Sequence, residues 1–306
     1  MTAGRELKHQ STMQELFMVS SSSLLNLSTG QEELSPLSII HNSITDESCS
    51  SSNDGRKPKE LDLHEYMARR VMSPLQERMN AITMIPSPLY CWYYILAGLW
   101  INPDMESDPI SEMDDSICIK SSWFPNMTAL PPPTMTAVAI GITLHAPFSF
   151  LYHYRYAHAM DPTQRVSHWS RRMDHSAIHA CSALVSYATS DSWNYFLLNI
   201  VYNSYCIYCQ FQPKVRPRQN QTRVFISMLA YTIPILYHGD QALFARCWIV
   251  LLIGGYIFIS YPFRGWSHSV FHLVLCLLPP LLMESSLRLE TSQPYLQTAM
   301  QCQYHD

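Results

Sequence analysis

Long uncharged apolar stretches dominate the sequence from Pro86 onward, and they constrain the fold more than any other feature. Charged residues fall in short clusters between these stretches and make up 14% of the chain, against about 25% in ordinary soluble domains. The mean hydropathy of the whole chain conceals this pattern, because residues 1–80 are polar and rich in serine. The composition therefore indicates a membrane protein.

A helix needs about twenty apolar residues to cross about 30 Å of hydrocarbon. Seven segments meet this requirement: 85–103, 133–154, 173–190, 192–211, 223–239, 243–262 and 265–284. The third and fourth are separated only by a tight turn at Ser190–Asp191. Pro147, Pro234 and the pair Pro279–Pro280 fall within these segments, which membrane bundles tolerate when neighbours satisfy the freed carbonyls. The predicted fold class is an all-α polytopic membrane protein, a seven-transmembrane helix bundle.

Loop charges predict the orientation of this bundle, because Lys and Arg in short loops stay on the cytosolic side. Basic clusters precede the first span and lie between the second and third and between the fourth and fifth. They are Arg69, Arg70 and Arg78; Arg155, Arg165, Arg171 and Arg172; and Lys214, Arg216, Arg218 and Arg223. The loop at 104–132 is instead acidic. We expect the N-terminus in the cytosol and the C-terminus outside or in a lumen.

Composition divides the chain into three regions. We expect residues 1–80 to be a disordered, Ser-rich cytosolic tail that could bind cytosolic partners, residues 81–285 to be the membrane domain, and residues 286–306 to be a short non-cytosolic tail.

Met1–Phe17 has no continuous apolar run, so no signal peptide is expected. The net charge of -4 provides no broad basic surface, which excludes a nucleic-acid partner. The expected location is an endomembrane or the plasma membrane.

The nine cysteines fit neither a disulfide framework nor a zinc ribbon. Cys206 and Cys209 form a CxxC motif inside an aromatic, apolar span. We interpret them as packing residues, because reactive thiols need a polar and partly exposed setting. Cys118 and Cys302 would share the non-cytosolic side, so a disulfide between them is a hypothesis.

Glycosylation sequons offer a further test of the orientation. Asn126 lies on the predicted lumenal side, whereas Asn26 and Asn220 lie on the predicted cytosolic side. Glycosylation of Asn126 alone would support the predicted orientation, whereas glycosylation of Asn220 would indicate the opposite orientation.

Histidines at the predicted cytosolic ends of two spans form a candidate metal site. Ser149 and His153 end the second span four residues apart, so they share one helix face. His268 and His272 repeat this spacing at the start of the last span, which lets both imidazoles address one ion. Asp174 opens the third span at the same depth. We predict a zinc site with His153, His268 and His272 as ligands.

Three neutral imidazoles and a water would complete a tetrahedral zinc shell with the open position of a catalytic site. We expect Asp174 to orient that water or accept its proton, and Ser149 to be a supporting hydrogen-bond partner. Such a site performs amide or ester hydrolysis. Because it would be embedded among helices, the expected substrate is a lipid.

Less specific interpretations remain open for the same residues. A lone interfacial histidine such as His153 is more often a headgroup contact or a satisfied core residue. Asp174 could instead pair with Arg171 or Arg172 at a helix N-terminus, where a carboxylate is favourable.

Other histidines compete for a place in the site. His175 and His179 form another four-residue pair on the third span, and we expect His179 to line the same cavity. His145 lies on the same face as His153 but about 12 Å deeper, which is too far to share the ion.

Three motifs in this order, Ser149-x3-His153, Arg171–Ile178 (RRMDHSAI) and His268-x3-His272, resemble the progestin and adipoQ receptor and hemolysin III family. That family belongs to a seven-transmembrane superfamily that includes the alkaline ceramidases. The resemblance implies a seven-helix bundle with a cytosolic N-terminus. It also implies zinc on the three histidines, with Ser149 and Asp174 in supporting roles.

Two functions from different classes follow from these observations. The first is a zinc-dependent, ceramidase-like membrane hydrolase that acts on a lipid amide or ester. The alternative is a seven-transmembrane receptor for a steroid, another lipid-like ligand or a peptide hormone, in which zinc is structural. A weaker third hypothesis is a degenerate family member that acts as a membrane scaffold.

Overall fold

The chain is mostly helical in the part that the computed structural model describes, which is residues 70–101, 118–119, 127–213 and 216–305. No β-strand occurs among these residues, so the predicted all-α class is confirmed. The longer helices are α1 (Pro74–Ile82), α2 (Pro86–Leu96), α3 (Pro133–Leu151), α4 (Trp169–Ser190), α5 (Trp193–Gln210), α6 (Pro217–Tyr237), α7 (Gln241–Ser260), α8 (Ser267–Leu275), α9 (Leu278–Leu287) and α10 (Gln293–His305).

Three helical segments among the described residues are long and apolar enough to cross a membrane. They are Pro133–Ala159, Gln241–Ser260 and Arg264–Leu287, which coincide with the second, sixth and seventh predicted spans. Helices α4, α5 and α6 occupy the predicted third, fourth and fifth positions. Polar side chains such as His179, Asn199 and Asn203 are buried within them, and their apolarity is correspondingly lower.

The first predicted span, 85–103, forms a shorter helix than the sequence indicates. Helix α2 has 11 residues, which gives a length of about 16 Å, or half of the hydrocarbon thickness. It ends before Gly98, which adopts the left-handed conformation with φ of 66°. This conformation costs glycine little, whereas other residues adopt it rarely. The apolar residues beyond Leu96 therefore form turns rather than a longer helix.

The last predicted span consists of two helices rather than one. Helix α8 ends at Leu275 and α9 begins at Leu278. Pro279 and Pro280 lie in the first turn of α9. Backbone N–H groups in a first turn have no acceptor within the helix, so proline, which lacks this group, is tolerated there. The proline pair was predicted to lie inside a continuous helix, but it starts a new one.

Both tail boundaries predicted from composition fall beside or inside structured helices. Helix α1 spans the predicted boundary between residues 80 and 81, and its Ser73 N-cap forms a capping box with Gln76. Helix α10 lies in the predicted C-terminal tail and buries one face, including Leu296 and Met300. Residues 1–69, which make up most of the predicted N-terminal tail, lie outside the described residues.

Helices α3 and α4 pack closely in the centre of the bundle. A Cβ atom at Gly141 of α3 would lie 3.3 Å from the carbonyl oxygen of Cys181 on α4, so a small residue permits this approach. Helix α4 ends at Ser190, and Asp191 then adopts a left-handed conformation with φ of 52°. The predicted tight turn between these helices is thus confirmed.

A disulfide joins Cys118, in the segment before α3, to Cys302 of α10. This pairing confirms the hypothesis drawn from the predicted shared side of the two residues. Nearby, the Thr128 hydroxyl donates to the carbonyl oxygen of Ala299 at 3.1 Å. Helix α10 is therefore fastened to the segment before α3 by a covalent bond and a buried hydrogen bond.

Replacing Cys302 with serine should abolish the mobility difference between reduced and non-reduced protein on a denaturing gel after free thiols are blocked. It should also lower the thermal unfolding midpoint, because a disulfide that closes a loop of 184 residues stabilises a fold by about 5 kcal/mol in the chain-entropy treatment. The Cys209→Ser variant is the control, since Cys209 is a free cysteine. An unchanged mobility shift in Cys302→Ser would contradict the pairing.

Candidate metal centre

Three histidines from distant parts of the chain meet in one place. His153 belongs to the segment that continues α3, and His268 and His272 lie on α8. One ligand atom from each histidine lies within 4.8 Å of the other two, and the Nε2 atoms of His153 and His268 are 3.2 Å apart. Two nitrogen ligands at zinc–nitrogen distances of about 2.0–2.1 Å in a tetrahedral shell are about 3.3 Å apart. This group could therefore hold a metal ion.

His153 lies where the second predicted span changes its helical geometry. The segment Tyr152–Tyr156 is a π-helix, and Pro147 interrupts the hydrogen-bond pattern of α3 just before it. π-helical turns are rare and occur frequently at functional sites. Because such a turn holds more residues than an α-helical turn, the direction of His153 does not follow from the four-residue spacing after Ser149 alone.

A buried carboxylate that the sequence analysis did not identify orients His153. Glu77 of α1 is completely buried, and its Oε2 atom lies 2.8 Å from Nδ1 of His153. Its other oxygen accepts a hydrogen bond from Nη1 of Arg165 at 2.9 Å. Since an ionised carboxylate only accepts hydrogen bonds, Nδ1 of His153 carries the proton and the Nε2 lone pair remains for a metal.

Helix α1 orients His272 in the same way. Nδ1 of His272 lies 3.0 Å from the carbonyl oxygen of Asn80 and 3.1 Å from the hydroxyl of Thr83. A carbonyl can only accept, so Nδ1 of His272 carries a proton and Nε2 is free to ligate. The Asn80 side chain is itself held by Ser269 of α8, whose hydroxyl donates to Oδ1 at 2.5 Å.

His268 is positioned mainly by ring packing. Its ring lies 5.7 Å from the ring of Phe258 and 5.8 Å from that of Phe271. Nδ1 of His268 is buried and has no hydrogen-bond partner among the described residues, whereas Nε2 faces His153. A metal ion would supply this ring with a strong polar interaction in an otherwise apolar setting.

The two predicted supporting residues, Ser149 and Asp174, are both buried. Ser149 is 1% exposed and Asp174 is 7% exposed. Oδ1 of Asp174 lies 3.2 Å from Nε2 of His145. Helix α4, which carries Asp174, contacts the π-helical segment that carries His153.

The arginines that follow the second predicted span do not pair with Asp174. Nη1 of Arg171 donates to the carbonyl oxygen of Val166 at 3.5 Å, and Nε of Arg172 donates to that of Ser167 at 2.9 Å. The interpretation of Asp174 as a simple partner of these arginines is therefore not supported.

The competing histidines occupy other places. Among the described residues, the group that could hold a metal contains neither His145, His175 nor His179. His145 binds Asp174 instead. His179 was predicted to line the same cavity, but its Nδ1 atom lies 3.0 Å from Oδ1 of Asn203 and 3.1 Å from the Ser227 hydroxyl. It therefore joins α4 to α5 and α6.

The sequence does contain a signal for the missed residues of α1. Glu77, Asn80 and Thr83 follow one another at three-residue spacing, which places polar groups on one face of a short helix. Ser73 and Gln76 mark its start as a capping box. These residues lie directly before the first predicted span, where a buried polar face needs partners in the bundle.

Comparison with known proteins finds no matching family model, no matching curated protein and no matching solved structure. The family resemblance therefore stays a prediction from three short motifs.

Substitution of His272 with alanine should remove stoichiometric metal from the purified protein, because a three-ligand site loses a third of its donors. His179→Ala is the matched control, since it also removes a buried histidine but lies outside the group. Metal content is measured by mass spectrometry after dialysis against a weak chelator. Full occupancy in His272→Ala, or an equal loss in His179→Ala, would contradict the ligand assignment.

The Glu77→Gln variant should bind zinc about 10–100-fold more weakly, because the hydrogen-bond partners of metal-bound histidines tune ligand affinity by this amount. Competition against a fluorescent chelator measures the change. Glu284→Gln serves as the control, because Glu284 is a partly exposed carboxylate that pairs with Arg246 and Arg288. If both variants keep the parent affinity, Glu77 does not orient a ligand.

Proposed function

We propose that this chain is a seven-span membrane hydrolase that uses zinc on His153, His268 and His272 to cleave a lipid amide or ester. The observation that carries the proposal is the three-histidine group, in which α1 holds the Nδ1 atoms of His153 and His272 and so leaves their Nε2 atoms available to an ion. Three protein ligands are typical of catalytic zinc, whereas structural sites usually have four. The family resemblance supports the same reaction class.

The proposed reaction assigns roles to the residues beside the histidines. Zinc bound there would supply a Lewis acid that polarises a carbonyl group and acidifies water. The Asp174 carboxylate, held by His145 at 3.2 Å, would accept a proton from the attacking water and return it to the leaving group. Ser149, one turn before His153, would hydrogen-bond to the substrate or to a water at the centre.

The exclusion of water around the site supports an electrostatic contribution to the reaction. Ser149, His153, His272 and Asp174 are all less than a tenth exposed. In a setting of low dielectric constant, hydrogen bonds to developing charge are stronger than in water. The buried Glu77 and Arg165 pair would keep the charge balance around His153 fixed during such a reaction.

Several features support the proposed membrane placement. Helices lie at all seven predicted positions, although α2 is short and the seventh position holds α8 and α9. The disulfide joins Cys118 of the acidic loop to Cys302 near the C-terminus, as expected if both are on the non-cytosolic side. Asn220 is 5% exposed, and its amide nitrogen donates to Gln210 at 3.0 Å, so this sequon does not present a free acceptor. The sequons at Asn26 and Asn126 lie outside the described residues.

A lipid substrate fits the surface of the helices. Large apolar side chains are exposed along α7, at Ile249, Leu252, Tyr256 and Ile259. Exposed apolar faces of this kind contact lipid in a membrane protein. A substrate dissolved in the bilayer would reach the candidate metal centre between helices rather than from water.

Asp174→Asn separates the proposed hydrolase from a receptor. The amide is isosteric and retains an oxygen acceptor for His145, so zinc content should be unchanged while ceramide hydrolysis falls by about 10²–10⁴-fold with the loss of the base. Asp191→Asn is the control, because it makes the same change at the other end of α4. Purified protein is assayed for both zinc and hydrolysis. Unchanged hydrolysis in Asp174→Asn would refute the role of Asp174, and a zinc-loaded parent protein without hydrolysis would favour the receptor.

A further inference from the structure

A second polar feature lies away from the candidate metal centre, where α5 ends and α6 begins. A pocket of about 400 Å³ opens there. Its lining combines two guanidinium groups with amide side chains: Cys209, Gln212, Pro213, Arg216, Gln219 and Arg223. None of these residues takes part in the proposed hydrolysis.

The stretch of sequence that contains the pocket residues carries charge of one sign. The sequence contains no Asp or Glu between Asp191 and Asp240, yet this stretch carries Lys214, Arg216, Arg218 and Arg223. Among the ion pairs of the described residues, none involves Arg216 or Arg223.

The two pocket arginines contact neutral groups instead. Arg216 donates to the side-chain oxygen of Gln219 at 3.4 Å, and Arg223 donates to that of Asn220 at 2.7 Å. Each guanidinium has five N–H donors, so these contacts use a small part of its capacity. The positive charge in the pocket is not neutralised by any described carboxylate.

The helix that begins at the pocket adds to the attraction for anions. Arg216 is the N-cap of α6 and makes no side-chain capping hydrogen bond, and Pro217 occupies the first turn. The N–H groups at the start of a helix lack partners within the helix and carry partial positive charge. Phosphate groups bind readily at such a position, particularly beside arginines.

Exposed aromatic side chains lie on the two helices whose ends form the pocket. Tyr205, Tyr208 and Phe211 of α5 and its end are 56%, 64% and 46% exposed, and Phe225 of α6 is 46% exposed. The guanidinium of Arg223 lies 6.0 Å from the ring centre of Tyr205. Aromatic belts mark the level of lipid head groups in membrane proteins. The pocket thus combines a basic lining with exposed aromatic side chains on the same two helices, which we call the apolar rim.

We propose that this pocket binds the phosphate group of an anionic membrane lipid. Phosphate oxygens would accept hydrogen bonds from Arg216, Arg223 and Gln219, while the acyl chains would lie along the exposed aromatic side chains. Basic pockets between membrane helices bind phospholipid head groups in this manner. Soluble phosphate shares the head-group chemistry, but it would make no use of the apolar rim.

The test measures binding of fluorescent phosphatidic acid to the full chain in phosphatidylcholine nanodiscs. A salt concentration of about 0.5 M restricts electrostatic interactions to a few ångströms, so general attraction to basic loops is suppressed. Arg216→Gln and Arg223→Gln should each weaken binding by about tenfold or more, as expected for the loss of charge-assisted hydrogen bonds. Arg218→Gln is the matched control, because Arg218 shares the segment but does not line the pocket. It should change the affinity by less than about twofold.

Other outcomes would overturn the proposal. An equal loss in Arg218→Gln would show general attraction rather than a pocket, and unchanged binding in Arg216→Gln would show that the pocket is not used. If inorganic phosphate displaces the labelled lipid at the same concentration at which unlabelled lipid does so, the pocket is a site for a soluble anion rather than for a lipid. Arg216→Gln keeps the test valid if Arg223→Gln misfolds, because the hydrogen bond of Arg216 is to an exposed residue. Size-exclusion profiles and the Cys118–Cys302 disulfide verify the fold of each variant.

Discussion

The hydrogen bonds of the buried Glu77 carboxylate connect the parts of the protein that form the candidate metal centre. Glu77 lies on α1, His153 on the π-helical segment after α3, and Arg165 in the connection to α4. A carboxylate without solvent contact is stable only when it is paired and hydrogen-bonded, and removal of one partner from such a group costs about 3–5 kcal/mol. Because the Glu77 carboxylate must be hydrogen-bonded by both His153 and Arg165, the three segments are held in one arrangement. The same hydrogen bond fixes the tautomer of His153.

The same helix that supplies Glu77 also links the site to α8. Asn80 accepts from Ser269 through its side chain and lies against Nδ1 of His272 through its carbonyl oxygen. A helix of nine residues is too short to be stable alone, so α1 depends on these polar contacts and on the bundle. In turn, two of the three imidazoles depend on α1 for their orientation. Folding of this segment and formation of the site are thus coupled.

The sequence was sufficient for features that depend on local pattern, and insufficient for those set by distant contacts. Apolar length predicted the positions of α3 and α7, loop charge led to the hypothesis that Cys118 pairs with Cys302, and the spacing of His268 and His272 identified a pair that does meet. Glu77 was missed because α1 is polar on average and resembles the preceding serine-rich region. Its partner His153 is 76 residues away, a distance that periodicity cannot detect.

Helix ends were the other source of difference between expectation and structure. Hydrophobic length alone does not show that a left-handed Gly98 ends α2, or that a proline pair starts α9. Likewise, composition assigned α10 to a tail, although one face of it is buried and Cys302 anchors it. Single residues decided the first two cases, and tertiary contacts decided the third.

The π-helical turn at Tyr152–Tyr156 has a consequence for changes in chain length. A π turn is equivalent to one additional residue inserted into an α-helix. Deletion of Tyr152 would restore regular helix geometry and leave the residues after the turn close to their present phase relative to α3. His153, moved one position earlier along the helix, would turn by about 100°, and its imidazole would leave Glu77. In this segment the number of residues, and not only their identity, encodes the geometry of the candidate metal centre.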